Sequence, residues 1–283
     1  RSCHERAIGS PCKAACAVDR NGHGTRLAGV VSGKELGVAR DAVLHAVKAS
    51  NDKAEFLRSD LVRSIQHVIQ VHSTTNSAWS LRMLPSVMLL SVGGKVASPT
   101  LQRAVERAVR ANIIVVVSAG SEGVDSCTTP LGSIDAAINV GSTDSTRAVK
   151  ERAAQPHNHG TCIDLFAPGE DIRVLPAPGG EPGPPPAASG TSVAAAHVAG
   201  AAAVVVSQWC HEHHNCVQVP LVGEHLTATE VRRLLDRIGQ ASVTNIPEGA
   251  RNLFLHISNE NTWDDLDRLD TESGARAQGG GGG

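Results

Sequence analysis

Between residues 24 and 208, short runs of β-branched residues alternate with longer amphipathic stretches, and this alternation restricts the fold more than any other feature. A run such as Ile113-Ile114-Val115-Val116-Val117 has no polar face to offer water, so as a strand it must be covered on both sides. The stretches in between can supply that cover. Residues 60–72 repeat Leu61, Ile65, Val68 and Ile69 at helical spacing, and residues 100–112 repeat Leu101, Ala104, Val105, Ala108 and Val109, with the charges on the opposite faces. Strands are expected at 42–48, 87–92, 113–117 and 137–140, in an α/β domain with a mostly parallel sheet. Residues 173–189 carry Pro176, Pro178, Gly179, Gly180, Pro182, Gly183, Pro184, Pro185 and Pro186, which excludes helix or inner strand and predicts an exposed loop.

Composition narrows the function. Lys and Arg number 26 against 28 Asp and Glu, a net charge of -2 that gives no electrostatic footprint for nucleic acid. Aromatic residues are 2% of the chain and tyrosine is absent, which argues against stacking platforms for bases or sugars. No uninterrupted apolar run reaches the length of a membrane span, residues 198–207 being the longest candidate. Seven cysteines (Cys3, Cys12, Cys16, Cys127, Cys162, Cys210 and Cys216) without a CxxC pair point to an oxidising, secretory or extracellular setting. Within Cys210-His211-Glu212-His213-His214-Asn215-Cys216, a disulfide-closed loop is preferred to a zinc site, because adjacent ligands on a tight loop cannot all face one ion.

Two segments concentrate the residues able to do chemistry: Asp19-Arg20-Asn21-Gly22-His23-Gly24-Thr25, and Ser189-Gly190-Thr191-Ser192 running into Val193-Ala194-Ala195-Ala196-His197. His23 lies between two glycines, so neighbouring side chains cannot shield its ring. Ser192 opens an Ala-rich helix, where unpaired backbone N–H groups favour a developing oxyanion. Taken singly, Thr191 or Ser192 could be an N-cap and Gly-His-Gly a surface loop. Together they form a base and a nucleophile at helix starts, as acyl transfer requires.

These motifs resemble the subtilisin-like serine protease family, in particular its proteinase K branch and the secreted, convertase-related members of that branch. The similarity continues through Gly37-Val38-Ala39, Ser91-Val92-Gly93-Gly94, Ser118-Ala119-Gly120, Ile138-Asn139-Val140-Gly141, Asp164-Leu165-Phe166-Ala167-Pro168-Gly169 and Asn245-Ile246-Pro247. It implies a three-layer α/β fold with a central, mostly parallel sheet and helices on both faces. Residues 19–256 would form the peptidase domain, residues 1–18 an unassigned Cys-containing segment, and residues 257–283 a disordered tail. The implied roles are Ser192 as nucleophile, His23 as general base, and Ser91, Val92, Gly93, Gly94, Ser118, Ala119 and Gly120 as two edges gripping an extended peptide. Small residues along those edges predict an open, undiscriminating pocket. The resemblance also implies a Cys127–Cys162 disulfide and a packed structural role for His197.

Two positions depart from the family pattern. The family's orienting Asp lies about thirty residues before the His, whereas 22 residues precede His23 and Asp19 matches the histidine loop itself. The chain therefore reads as an N-terminally truncated piece whose triad lacks its acid. At the oxyanion position the family's Asn is Ser121, a shorter donor. Losing that Asn costs roughly 10²- to 10³-fold in rate. The expectation is a secreted serine endopeptidase of weak activity, a monomer acting on peptide or protein substrates and accompanied by an inhibitory propeptide. The alternative is an inactive homologue serving as a protein-binding domain. No cofactor is expected; a structural calcium stays open, since no carboxylate cluster marks one.

Overall fold

The structure, a computed structural model, describes residues 18–78, 85–93, 98–150, 156–177, 184–212 and 226–257. Four parallel strands, β1 (Ser86–Leu90), β2 (Ile113–Ser118), β3 (Ile138–Thr143) and β4 (Leu165–Pro168), lie side by side in chain order. Leu90 stands opposite Val117, Ser118 opposite Val140, and Val140 opposite Leu165. All six residues of β2 are buried, because its alternate side chains enter different cores. Ile114 and Val116 join a cluster with α1 (His23–Ser32), α4 (Thr191–Glu212) and α5 (Ala228–Ile238). Ile113, Val115 and Val117 face α2 (Arg58–Ala78) and α3 (Pro99–Arg110). Burying each such side chain is worth about 1.5–3 kcal/mol, so the continuous apolar run fixes a three-layer α/β arrangement.

Helix boundaries follow local chemistry. α3 begins where Ser98 Oγ accepts from Leu101 N and Pro99 occupies the first turn, and it ends with Arg107 and Arg110 near the negative end of its dipole. α5 opens on a capping box between Thr227 and Glu230. α4 is long and apolar enough to cross a membrane, unlike the shorter run expected from sequence. Yet Ala194, Ala195, Ala196, Val198, Ala201 and Ala202 are fully buried, so its apolarity serves the core.

The structure corrects three expectations. Residues 42–48 form no strand: they run as coil with Val43, Leu44 and Val47 exposed, and no ladder pairs them among the described residues. An extended segment becomes a strand only when a neighbour takes its backbone groups. The predicted 87–92 strand is shifted to Ser86–Leu90, and β4 is an additional strand. Within the Pro-rich loop, β5 (Ile172–Arg173) and β6 (Ala187–Ala188) pair antiparallel, and Val174 N donates to Pro186 O. Cys3, Cys12, Cys16, Cys216, residues 1–17 and residues 258–283 lie outside the described residues.

Candidate active site

His23 is the first residue of α1 and Ser192 the second of α4. Both helices are seated in the same core, Leu27, Val30 and Val31 of one clustering with Val193–Ala196 and Val198–Ala199 of the other. Gly200 lets α4 seat against the segment that follows α1: a Cβ there would lie 2.7 Å from Val38 Cβ and 3.3 Å from Val31 O. Among the described residues no hydrogen bond joins the His23 ring to Ser192, so the structure brings the two helix starts onto one core without locking the side chains together.

The loop before α1 explains how the glycine-flanked histidine is held. Gly22 occupies the cap position with a φ of 84°, a left-handed conformation that suits glycine, and supplies no side chain. Asp19 takes over the capping role. Its Oδ1 accepts from Asn21 N (3.1 Å) and Gly22 N (2.8 Å), and its Oδ2 from Thr25 N (2.9 Å) and Thr25 Oγ1 (2.8 Å). Partial burial opposes ionisation of Asp19, but these donors outweigh it and hold the carboxyl below its ordinary value. His23 is exposed as a residue, yet desolvation by the surrounding protein disfavours the imidazolium; Asp19 pulls the other way without reversing the shift, and Arg26 adds to it. The ring is therefore biased toward its neutral, proton-accepting form.

At the head of α4, Gly190 (φ 138°) turns the chain, and its carbonyl accepts from Val193 N (3.0 Å) and Ala194 N (3.3 Å). Buried Thr191 ties this turn to the second of the two expected edges, its Oγ1 accepting from Gly120 N at 3.1 Å. The two edges meet where β1 and β2 end: Ser91 Oγ donates to Ser118 Oγ at 3.1 Å, beside the Leu90–Val117 pair. Val92, Gly93, Ala119 and Gly120 line the cleft beyond. Gly94 lies outside the described residues. Ser121 continues the second edge, half-buried.

Three residues beyond the sequence expectation shape this region. Asn158, 2% exposed, braces the loop after β2: its Nδ2 donates to Ala119 O (2.7 Å) and Glu122 Oε2 (2.8 Å), and its Oδ1 accepts from Glu122 N and Val124 N. Glu122 lies beside Gly93 and Gly120, a carboxylate among the small residues of the two expected edges. Glu170, buried next to Gly169, is bonded to His157 Nε2 at 2.9 Å and accepts from Ser142 Oγ at 3.2 Å. No motif flags any of these, since their partners lie many residues away.

Cys127 and Cys162 are joined, with Cα atoms 5.2 Å apart, as the resemblance implies. Cys210 is also disulfide-bonded, while most of the His-rich loop after it lies outside the described residues. His197 sits within α4, its Nδ1 against Val193 O at 3.1 Å. Burial lowers its pKa, partly offset by its bonds to the Val193 and Pro168 carbonyls, the surroundings of a packed residue.

A histidine presented between glycines and a serine at the head of a buried helix, both set on a parallel α/β sheet, define a serine-peptidase type of fold. The chain belongs to the subtilase family, whose profile matches residues 3–239. It is 31% identical over 236 residues to the subtilisin-like serine protease Pen ch 18 of Penicillium rubens, covering 83% of this chain and 46% of that protein. It is 37% identical over 193 residues to an extracellular serine proteinase of a Thermus species, covering 68% of this chain and 43% of the relative. The chain thus spans a little under half the length of these relatives. A crystal structure of a cold-adapted subtilisin-like serine proteinase superposes with a TM-score of 0.69 at 29% identity, over 86% of this chain and 77% of that one.

Proposed function

We propose that this chain is the peptidase region of a secreted serine endopeptidase in which His23 removes the proton from Ser192 Oγ as that oxygen attacks a peptide carbonyl. The carbonyl electrons move onto oxygen, and the backbone N–H of Ser192 with Ser121 receives the resulting charge. His23 then returns the proton to the departing amine, and water repeats the cycle on the acyl-enzyme. The observation that carries this reading is the placement of His23 and Ser192 at the starts of two helices seated in one core, with Thr191 tying the nucleophile's turn to the second edge. Secretion is supported by the disulfide and by the extracellular relative. The proposed substrate is an extended polypeptide laid between the Ser91 and Ser118 edges.

A second reading, a protein-binding homologue with little turnover, is favoured by Asp19. Both its oxygens serve the backbone before α1 and Thr25 rather than the His23 ring. Labelling with a fluorophosphonate separates the two, since covalent capture needs an activated serine but not efficient turnover. Labelling of the parent protein that vanishes in Ser192→Ala supports the peptidase. Folded protein that fails to label overturns it in favour of the binding reading.

A further inference from the structure

A buried pair that the proposed reaction does not use lies between two parts of the site. His157 Nε2 donates to Glu170 Oε1 at 2.9 Å, with the imidazole side chain 6% exposed and the carboxylate side chain 1%. Ser142 Oγ, itself buried, donates to the same oxygen at 3.2 Å. Taking a carboxylate and an imidazole out of water is costly, and two apolar side chains of similar volume would fill the space as well. What the polar pair adds is direction, since its hydrogen bond forms only when residues 157 and 170 stand at one separation and angle.

Each partner is fastened to a different arm of the site. On one side, Asn158, next to His157, donates from Nδ2 to Ala119 O at 2.7 Å and from its N–H to Gly120 O at 3.1 Å, and His159 N donates to Val124 O at 3.1 Å. These bonds clamp the loop that carries Ser121. On the other side, Glu170 is flanked by Gly169, whose carbonyl accepts from Gly190 N at 2.6 Å, and by Asp171, whose N–H donates to Ser189 Oγ at 2.9 Å. Ile172 then pairs with Ala188, so residues 169–172 follow residues 188–190 into the turn that presents Ser192. The approach is close: a Cβ on Gly169 would lie 2.8 Å from Gly190 O and 3.0 Å from Ala194 Cβ. Ser121 and the Ser192 N–H, the two groups assigned to the oxyanion, thus stand at the ends of one chain of contacts whose middle link is the His157–Glu170 bond. Resting on the peptidase reading for the role of those two groups, we propose that His157 and Glu170 are positioning residues that hold the Ser121 loop and the Ser192 turn in register.

Two replacements of Glu170 of nearly equal size test this. Glu170→Gln keeps an oxygen for the His157 Nε2–H, whereas Glu170→Met keeps the volume and removes the acceptor. Amide exchange is read by NMR at Gly190, Glu122 and Val124, with Val115 and Val116 of β2 as internal reference, and fluorophosphonate labelling is followed against reagent concentration. In Glu170→Met, exchange should quicken about tenfold in both arms while the β2 amides keep the parent's rate. The maximal labelling rate should fall about tenfold with an unchanged half-saturation concentration. Glu170→Gln, with a neutral hydrogen bond in place, should stay within about threefold of the parent on both readouts. If Glu170→Met does not fold, the double variant His157→Phe/Glu170→Met, which leaves no unpaired imidazole, replaces it; failure of both to fold makes the pair a folding requirement and overturns the proposal. Faster exchange that spreads evenly to β2 or stays in one arm, equal behaviour of the Gln and Met variants, or parent-rate labelling of Glu170→Met overturns it as well. A parent protein that never labels removes the peptidase reading alone, and the exchange pattern then decides whether the pair couples the two arms.

Discussion

Replacing Asp19 with alanine tests the mechanical basis of the histidine's position. The substitution removes the acceptor of four hydrogen bonds, two of them from Thr25 in the first turn of α1. Loss of a capping acceptor costs about 1–2 kcal/mol, and the ionised state of this carboxylate places it toward the upper end. For a domain of this size, each kcal/mol shifts the melting temperature by about 2–4 °C. Asp19→Ala should therefore melt about 2–8 °C lower by near-UV circular dichroism, with a smaller loss for Asp19→Asn, which keeps one carbonyl oxygen. The acid dependence supplies a second signature. The folded carboxyl titrates below its ordinary value near 3.8, so its contribution is complete above that value and is lost as the pH falls through the lower, folded one. The parent and Asp19→Ala curves should converge in that window. A variant melting within about 1 °C of the parent, with an unchanged acid limb, would falsify the capping role.

Replacing both Cys127 and Cys162 by serine opens a link spanning 35 residues. Chain entropy assigns such a link about 3–4 kcal/mol, so calorimetry should show a melting temperature roughly 10 °C lower, and no change would mean the bond constrains little. Because burial lowers the His23 pKa, the ring stays neutral to lower pH than an ordinary imidazole. The rate of fluorophosphonate labelling should fall on acidification with a midpoint below about 6.5, and a midpoint above it would contradict the environment assigned to the ring. Ser121→Asn should raise labelling or peptide hydrolysis by at least about tenfold if the oxyanion donor limits the rate; an unchanged rate removes Ser121 from that role.

Local pattern disclosed the elements that bury both faces or one clean stripe. β2 was legible because five consecutive β-branched residues permit little else, and α3 because its apolar spacing is regular after a Ser-Pro start. His23 and Ser192 stood out because glycine and alanine are unusual company for reactive side chains. Residues 42–48 misled: apolar β-branched composition describes a segment fit for a sheet, but pairing belongs to the neighbour. Glu122 was invisible for a related reason. Its place in the cleft depends on Asn158, 36 positions away, and on two glycines from different strand ends. Asp19 was visible as a loop residue, but its four bonds required the fold.

Gly200 has a dynamic consequence. A side chain there would run into Val38 Cβ and the Val31 carbonyl, so α4 lies close against α1 and the turn that follows it. The shared core beneath the two helices resists displacement of one against the other. The softer joint is the lateral one, where single hydroxyls link Ser91 to Ser118 and Thr191 to Gly120. An arriving ligand would thus be met by two helices bedded in one core and by a more compliant rim.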